Sequence, residues 1–252
     1  MSQTPPLAYH DPKFIDSDEG RPVRIVSEYL APLRAFQEAG VRATVVFFGS
    51  ARLHSGGPLG RYVDEATELA RLVTQWSCAA TGGTLVVCSG GGPGIMEAAN
   101  RGAALGGGRS VGLNIGLPHE QLPNQYITPE LSFEFHYFFM RKLWFAHLAR
   151  ALVVFPGGFG TFDELFEILT LAQTQKLDRS IPVLLYGSDY WREVINFEAL
   201  VRHGVIAAED LKLFEFVDQP QEALALLRQR IGLEPAPPPC PDFAHSRCRA
   251  DR

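Results

Sequence analysis

Three glycine-bearing stretches hold the residues best suited to chemistry. Residues 47–52, FFGSAR, end an apolar run in glycine and then present the hydroxyl of Ser50 and the guanidinium of Arg52. Residues 89–97, SGGGPGIME, place Gly91, Gly92 and Gly94 ahead of a helix-forming run, and residues 156–164, PGGFGTFDE, do the same with Gly157, Gly158, Gly160 and Thr161. A glycine-rich turn entering a helix lets backbone N–H groups approach an anion closely, and the helix dipole adds roughly half a positive charge at that end. Either turn alone is equally consistent with chain reversal and close helix packing, which the small residues Ala98, Ala99, Gly102 and Ala103 would also allow. Two such turns on one edge of a sheet point instead to a phosphorylated ligand.

Missing motifs narrow that ligand. The GxGxxG spacing fails in both loops, because position 95 is Ile and position 163 is Asp, which argues against a dinucleotide. No glycine is followed by lysine, so the phosphate-binding lysine of an NTP-hydrolysing loop is lacking. Ser50 and Ser89 both lack the flanking glycine pair of a GxSxG nucleophile elbow, and no HExxH zinc motif occurs. Cys240, His245 and Cys248 lack a fourth ligand and a CxxC pair, so no metal site is expected, and no cofactor.

Two charged residues could work on such a ligand. Thr161-x-x-Glu164 precedes an apolar stripe and reads as a capping box, a structural role sufficient to explain the carboxylate. The same carboxylate would also overhang the phosphate edge. Arg141, with Lys142 beside it, falls early in a helix-forming run that precedes an apolar strand, so its first turns should lie near the strands' carboxyl ends and bring Arg141 to Glu164. The plainer reading of Arg141 and Lys142 is a solvated helical pair. Most of the aromatic neighbours Phe133, Phe135, Tyr137, Phe138, Phe139 and Trp144 are expected in the core, with one or two free to flank a base.

The elements that must position these groups alternate. Ile25, Tyr29, Leu33 and Phe36 recur at helical spacing and predict a helix over residues 22–39. Short runs rich in Val, Ile, Leu and Phe at 43–48, 84–88, 110–114, 151–155 and 182–186 predict buried strands. Helices are predicted at 61–77, 95–105, 137–149, 161–176 and 189–202, with a weaker pair near 212–230. That order implies an α/β, Rossmann-like open parallel sheet with helices on both faces, in which every strand-to-helix loop emerges at one edge. Residues 1–40 are read as an arm and helix, 41–232 as the α/β domain, and 233–252 as a Pro-rich tail expected to be disordered.

Composition excludes other classes. The 252 residues are 46% hydrophobic and 20% charged, too apolar for wholesale disorder. A net charge of -5 provides no broad positive field for a nucleic-acid polymer. The uncharged residues 76–96 contain six glycines and Pro93 and cannot span a bilayer as a helix. The N-terminal residues lack the pattern of a secretory signal, so a cytoplasmic location is expected, with Cys78 and Cys88 as reduced thiols.

Taken together, SGGGPGIME, MRK at 140–142, PGGFGTFDE and the following ILTLAQ resemble the LOG (LONELY GUY) family, often labelled lysine decarboxylases, over about residues 43–200. The resemblance implies hydrolysis of the N-glycosidic bond of a nucleoside 5'-monophosphate, AMP or a cytokinin riboside monophosphate, to free base and ribose 5-phosphate. It implies Arg141 and Glu164 as catalytic residues, with Met140 and Lys142 beside the arginine. Gly157, Gly158, Gly160, Thr161, Gly91, Gly92 and Gly94 would hold the phosphate, and Glu120 in LPHEQLPNQYI and Thr170 would contact substrate. A homodimer or higher homo-oligomer is also implied. The N-terminal helix and Pro-rich tail depart from the short plant form.

A decarboxylase would need a Schiff-base lysine for pyridoxal phosphate, and of Lys13, Lys142, Lys176 and Lys212 only Lys142 is expected near the site. Glycosidic cleavage would pass through an oxocarbenium-like centre, with Glu164 biased toward its ionised form to stabilise the cation or activate water. Arginine is a poor general acid, so the proton for the departing base would come from His136, Asp163 or a water. A non-catalytic nucleotide-binding or carrier protein is the alternative reading.

Overall fold

The computed structural model describes residues 6–116, 122–176 and 181–231. Two helices come first, α1 (Pro12–Ile15) and α2 (Arg21–Glu38). Then follow β1 (Ala43–Phe48), α3 (Arg61–Thr81), β2 (Leu85–Ser89), α4 (Ile95–Leu105) and β3 (Ser110–Ile115). The next elements are β4 (Ser132–Phe135), α5 (Phe138–Leu148), β5 (Ala149–Val154) and α6 (Phe159–Gln173). The described chain ends with β6 (Val183–Tyr186), α7 (Ser188–Val194), α8 (Phe197–Arg202), β7 (Phe214–Val217) and α9 (Pro220–Arg230). The seven strands form one sheet in the order β4-β3-β2-β1-β5-β6-β7. All six pairings are parallel, as expected of a Rossmann-like α/β fold.

Alternation along β1 shows why both faces are covered. Val46 and Phe48 pack into a core shared with Phe36 of α2, Trp144 of α5 and Leu165 of α6, while Val45 and Phe47 enter a second core with Leu69 of α3 and Ala99 of α4. Successive side chains in a strand point to opposite faces, so a strand buried twice must be apolar throughout.

Several elements depart from expectation. The structure contains β4 and β7, which periodicity did not reveal: each has four residues and only two buried positions or fewer, too short to show an alternation. Part of the stretch near 212–230 read as a helical pair is therefore the strand β7. The helix predicted at 189–202 is two, α7 and α8, broken at Ile195, whose backbone is extended. The apolar flank of α6 is mostly spent inside the chain, since Leu165, Ile168 and Leu169 are buried and Phe166 stays exposed.

Helix α2 does more than cover the sheet. Its Tyr29 ring stacks on Trp144 with centroids 5.6 Å apart, and the Trp144 indole N–H donates to the Glu28 carbonyl at 3.0 Å. The Glu28 carboxylate accepts the backbone N–H of His136 at 2.7 Å and of Tyr137 at 3.3 Å, immediately before α5 begins. Those two donors precede a helix with no cap of its own, and a carboxylate there also suits the positive end of the helix dipole. Glu28→Ala should therefore lower unfolding free energy by about 1 kcal/mol, the usual loss for a cap, as read by urea denaturation; an unchanged midpoint would show that α5 keeps its entry without this carboxylate.

Candidate active site at the sheet switch point

Strand β1 pairs with β2 on one side and β5 on the other, so the chain leaves the ends of β1 and β5 in opposite directions and opens a crevice. Three backbone bonds fix its walls. Phe155 N–H donates to Phe48 O at 2.8 Å, Ser50 N–H to Pro156 O at 3.0 Å, and Ile95 N–H to Ser50 O at 3.1 Å. The last approach requires glycine at position 94, where φ is +67° and a Cβ would lie 2.3 Å from the Ser50 carbonyl oxygen.

A cavity of about 680 Å³ occupies the crevice. Ser50, Arg52, Arg141, Gly157, Gly158, Gly160, Thr161 and Glu164 all line it. Arg141 lies one turn into α5 and Glu164 in the second turn of α6. Their side chains meet at 2.9 Å and are only 15% and 7% exposed. The guanidinium also lies between the rings of Phe138 and Phe145, at 5.5 and 5.4 Å. Burial pushes the Glu164 carboxyl above the usual carboxylate range, against the opposing pull of Arg141 and then Lys142. The expected bias toward ionisation is thus reversed by desolvation.

The capping box is absent. Helix α6 begins at Phe159 with Gly158 as its cap residue and no side-chain cap, so Thr161 is already its third residue and Glu164 reaches Arg141 rather than a backbone N–H. Its first N–H groups therefore lack an internal acceptor, and residues 158–161 line the cavity. An anion can accept from them.

Other expected residues lie elsewhere. Lys142 turns away from the cavity to Asp163 and Glu167 at 2.8 and 3.1 Å. Burial works against its charge, but those two carboxylates together hold the ammonium above its ordinary value. Met140 is buried in the core, and Thr170 is exposed with its hydroxyl donating to Phe166 O at 2.7 Å. Gly91 and Gly92 accept at their carbonyls from the Asn124 amide at 3.0 and 3.1 Å, and the second glycine loop reaches the cavity through Gly90 and Met96 instead. Neither His136 nor Asp163 lines the cavity. Glu120 lies outside the described residues, as do Cys240, His245 and Cys248; among the described residues no cluster of three metal-ligating side chains occurs.

Tyr190 and Phe145, both lining the cavity, went unrecognised in the sequence. The signal for Tyr190 was its place just after the carboxyl end of β6; Phe145 looks like any core aromatic.

The fold and the crevice define a Rossmann-like α/β protein with an uncapped helix N-terminus next to a buried Arg–Glu pair. Residues 96–227 match the family described as "Possible lysine decarboxylase", and the chain belongs to this family, the LOG family. It is 28% identical over 204 residues to a probable cytokinin riboside 5'-monophosphate phosphoribohydrolase of Oryza sativa subsp. japonica, covering 73% of this chain and 76% of that one. It is 29% identical over 169 residues to the pyrimidine/purine nucleotide 5'-monophosphate nucleosidase of Escherichia coli strain K12, covering 58% of this chain and 35% of the relative. Among solved structures, the protein TM1055 superposes with a TM-score of 0.53 at 22% identity, covering 74% of this chain and 99% of that one. A molybdenum cofactor binding protein from Rippkaea orientalis has the same fold, with a TM-score of 0.50 at 16% identity and coverage of 75% and 96%.

The glycines of the PGG loop separate into two kinds. A Cβ on Gly157 would sit 2.1 Å from Thr161 Oγ1, so the fold itself needs glycine there. A Cβ on Gly158 meets nothing within 4 Å and would project into open space beside the cavity. Gly158→Ala should therefore keep the wild-type melting temperature yet weaken phosphate-monoester binding about ten-fold by calorimetry, equivalent to ~1.4 kcal/mol. Equal affinity in the two proteins would remove this loop from the anion site.

Proposed function

We propose that this chain hydrolyses the N-glycosidic bond of nucleoside 5'-monophosphates to free base and ribose 5-phosphate. The observation that carries the reading is the Arg141–Glu164 pair, buried in the same cavity as the open N-terminus of α6. The 5'-phosphate would rest on the N–H groups of residues 158–161, with Ser50 and Arg52 on the facing wall. The ribose then extends toward Glu164. Ionised, that carboxylate stabilises positive charge developing at C1' or takes a proton from the attacking water. The bond electrons leave with the base, which is protonated from water, since neither His136 nor Asp163 faces the cavity. Arg141 orients Glu164 and opposes its protonation. The names of the rice and Escherichia coli relatives support the same bond and the same phosphate position.

Decarboxylation through a Schiff base fits poorly. Among the described residues no lysine lines the cavity, and Lys142 is held charged by two carboxylates, the wrong state for a nucleophilic amine. A carrier would need the anion loop but gains nothing from burying a carboxylate beside it, whose desolvation the Arg141 contact offsets only in part. We further propose a homo-oligomer, in which the exposed Phe138, Phe139, Leu143 and Phe166 would find cover. Among the described residues no helix is long and apolar enough to cross a membrane.

With AMP as substrate, Glu164→Gln and Arg141→Ala should each lower kcat/KM at least about 100-fold while keeping wild-type circular dichroism. Wild-type base release by either folded variant would refute their roles. Nucleoside 5'-monophosphates should be cleaved in preference to the matching nucleosides and triphosphates, and a monophosphate-independent rate would refute the phosphate assignment. Because Glu164 must be ionised and its folded carboxyl lies above the ordinary range, kcat/KM should fall on the acid side before an ordinary carboxylate would protonate. In Arg141→Ala the opposing charge is gone, so the acid limb of the residual activity should move to still higher pH; a shift downward would contradict the pairing.

A further inference from the structure

Tyr190 is the third residue of α7, and its hydroxyl donates to the Gly157 carbonyl at 2.6 Å. Helix α7 is a firm base for that bond. The Trp191 indole N–H is buried between the carbonyls of Val154 and Tyr186, at 3.2 and 3.0 Å, and Asp218 accepts both the N–H and the hydroxyl of Ser188. Across a trans peptide the C=O and the following N–H point in opposite directions, and the described chain contains no cis bond. A Gly157 carbonyl held against Tyr190 therefore turns the Gly158 N–H the other way. Glycines on both sides of a peptide leave its plane with little steric restraint, so this orientation needs a partner to hold it.

Resting on the function proposed above, we infer that Tyr190 is a positioning residue, whose hydroxyl locks the Gly157–Gly158 peptide with its N–H available to the 5'-phosphate and so sets affinity for phosphorylated substrates. It does not touch the reacting bond. Burial raises the Tyr190 phenol above its ordinary value, so the hydroxyl remains a donor through neutral pH.

The test is Tyr190→Phe, which keeps the ring and deletes the donor. Calorimetry with ribose 5-phosphate should show a dissociation constant raised about five- to ten-fold, and KM for AMP should rise by the same factor while kcat stays within about two-fold. A double-mutant cycle with Gly158→Ala should be sub-additive, because one change frees the Gly157–Gly158 peptide and the other places a Cβ beside it, so both weaken the same phosphate contact, whereas a general packing defect would leave the two effects independent. Wild-type affinity in Tyr190→Phe, a loss confined to kcat, or full additivity would overturn the inference. Should the wild-type protein cleave AMP and bind ribose 5-phosphate while Tyr190→Phe matches it, this inference alone fails. Should the wild-type protein do neither, the proposed function fails with it.

Discussion

The site depends on a short set of backbone bonds that stitch three loops together where β1 and β5 part. Phe155 to Phe48, Ser50 to Pro156 and Ile95 to Ser50 carry the hydrogen-bonding order of the sheet beyond its last residues, just where the chain on either side turns away. Without them the loops after β1, β2 and β5 would be independent surface segments, each free to sample conformations of its own. With them, residues from positions 50, 95 and 156 share one rigid frame, and a cavity exists for the side chains to line. Glycine at 94 is required by this stitching, because its backbone conformation and the nearness of the Ser50 carbonyl leave no room for a side chain.

Onto that frame the fold brings a buried charge pair, whose energetics argue for use rather than for stability alone. Removing a carboxylate from water costs several kcal/mol, and a single guanidinium contact recovers only part of it. The net upward displacement of the Glu164 carboxyl records that shortfall. A carboxyl raised in this way keeps its proton to higher pH than a surface one, a shift in the direction that general acid–base chemistry uses. The N-terminal helix belongs to the same argument. By receiving the backbone N–H groups before α5 and the Trp144 indole, α2 fixes the entry of the helix that carries Arg141, so a segment distant from the cavity helps to aim one of its two charges.

Much of this was legible in the amino-acid order, and the exceptions have physical causes. Strands buried on both faces announce themselves as unbroken apolar runs, so β1, β2, β3, β5 and β6 could be read within a few residues. The strands at the sheet margins, β4 and β7, have one mixed face and four residues each, which leaves too little pattern to see. The meeting of Arg141 with Glu164 followed from topology alone, because a helix leading into a parallel strand starts near that sheet's carboxyl edge. The capping box misled because Gly158 allows α6 to begin two residues before Thr161, converting an apparent cap into the third helical residue. The direction of the Glu164 shift was misjudged for a different reason: the helix dipole can be inferred from a sequence, but the depth of burial that outweighs it depends on what packs around the group.

The neighbouring residues Arg141 and Lys142 show how far spacing can carry such a reading. Consecutive residues on a helix point about 100° apart, so an RK pair cannot present both cations to one small ligand. The planar guanidinium takes the inner direction, where aromatic faces and a carboxylate can satisfy it, and the compact ammonium takes the outer one, where Asp163 and Glu167 draw it along α6. Lys142 thereby ties α5 to α6 from outside while Arg141 ties them from inside. The two helices are held at a fixed separation across the cavity, and the lysine that a decarboxylase would need is instead part of what keeps the arginine in place.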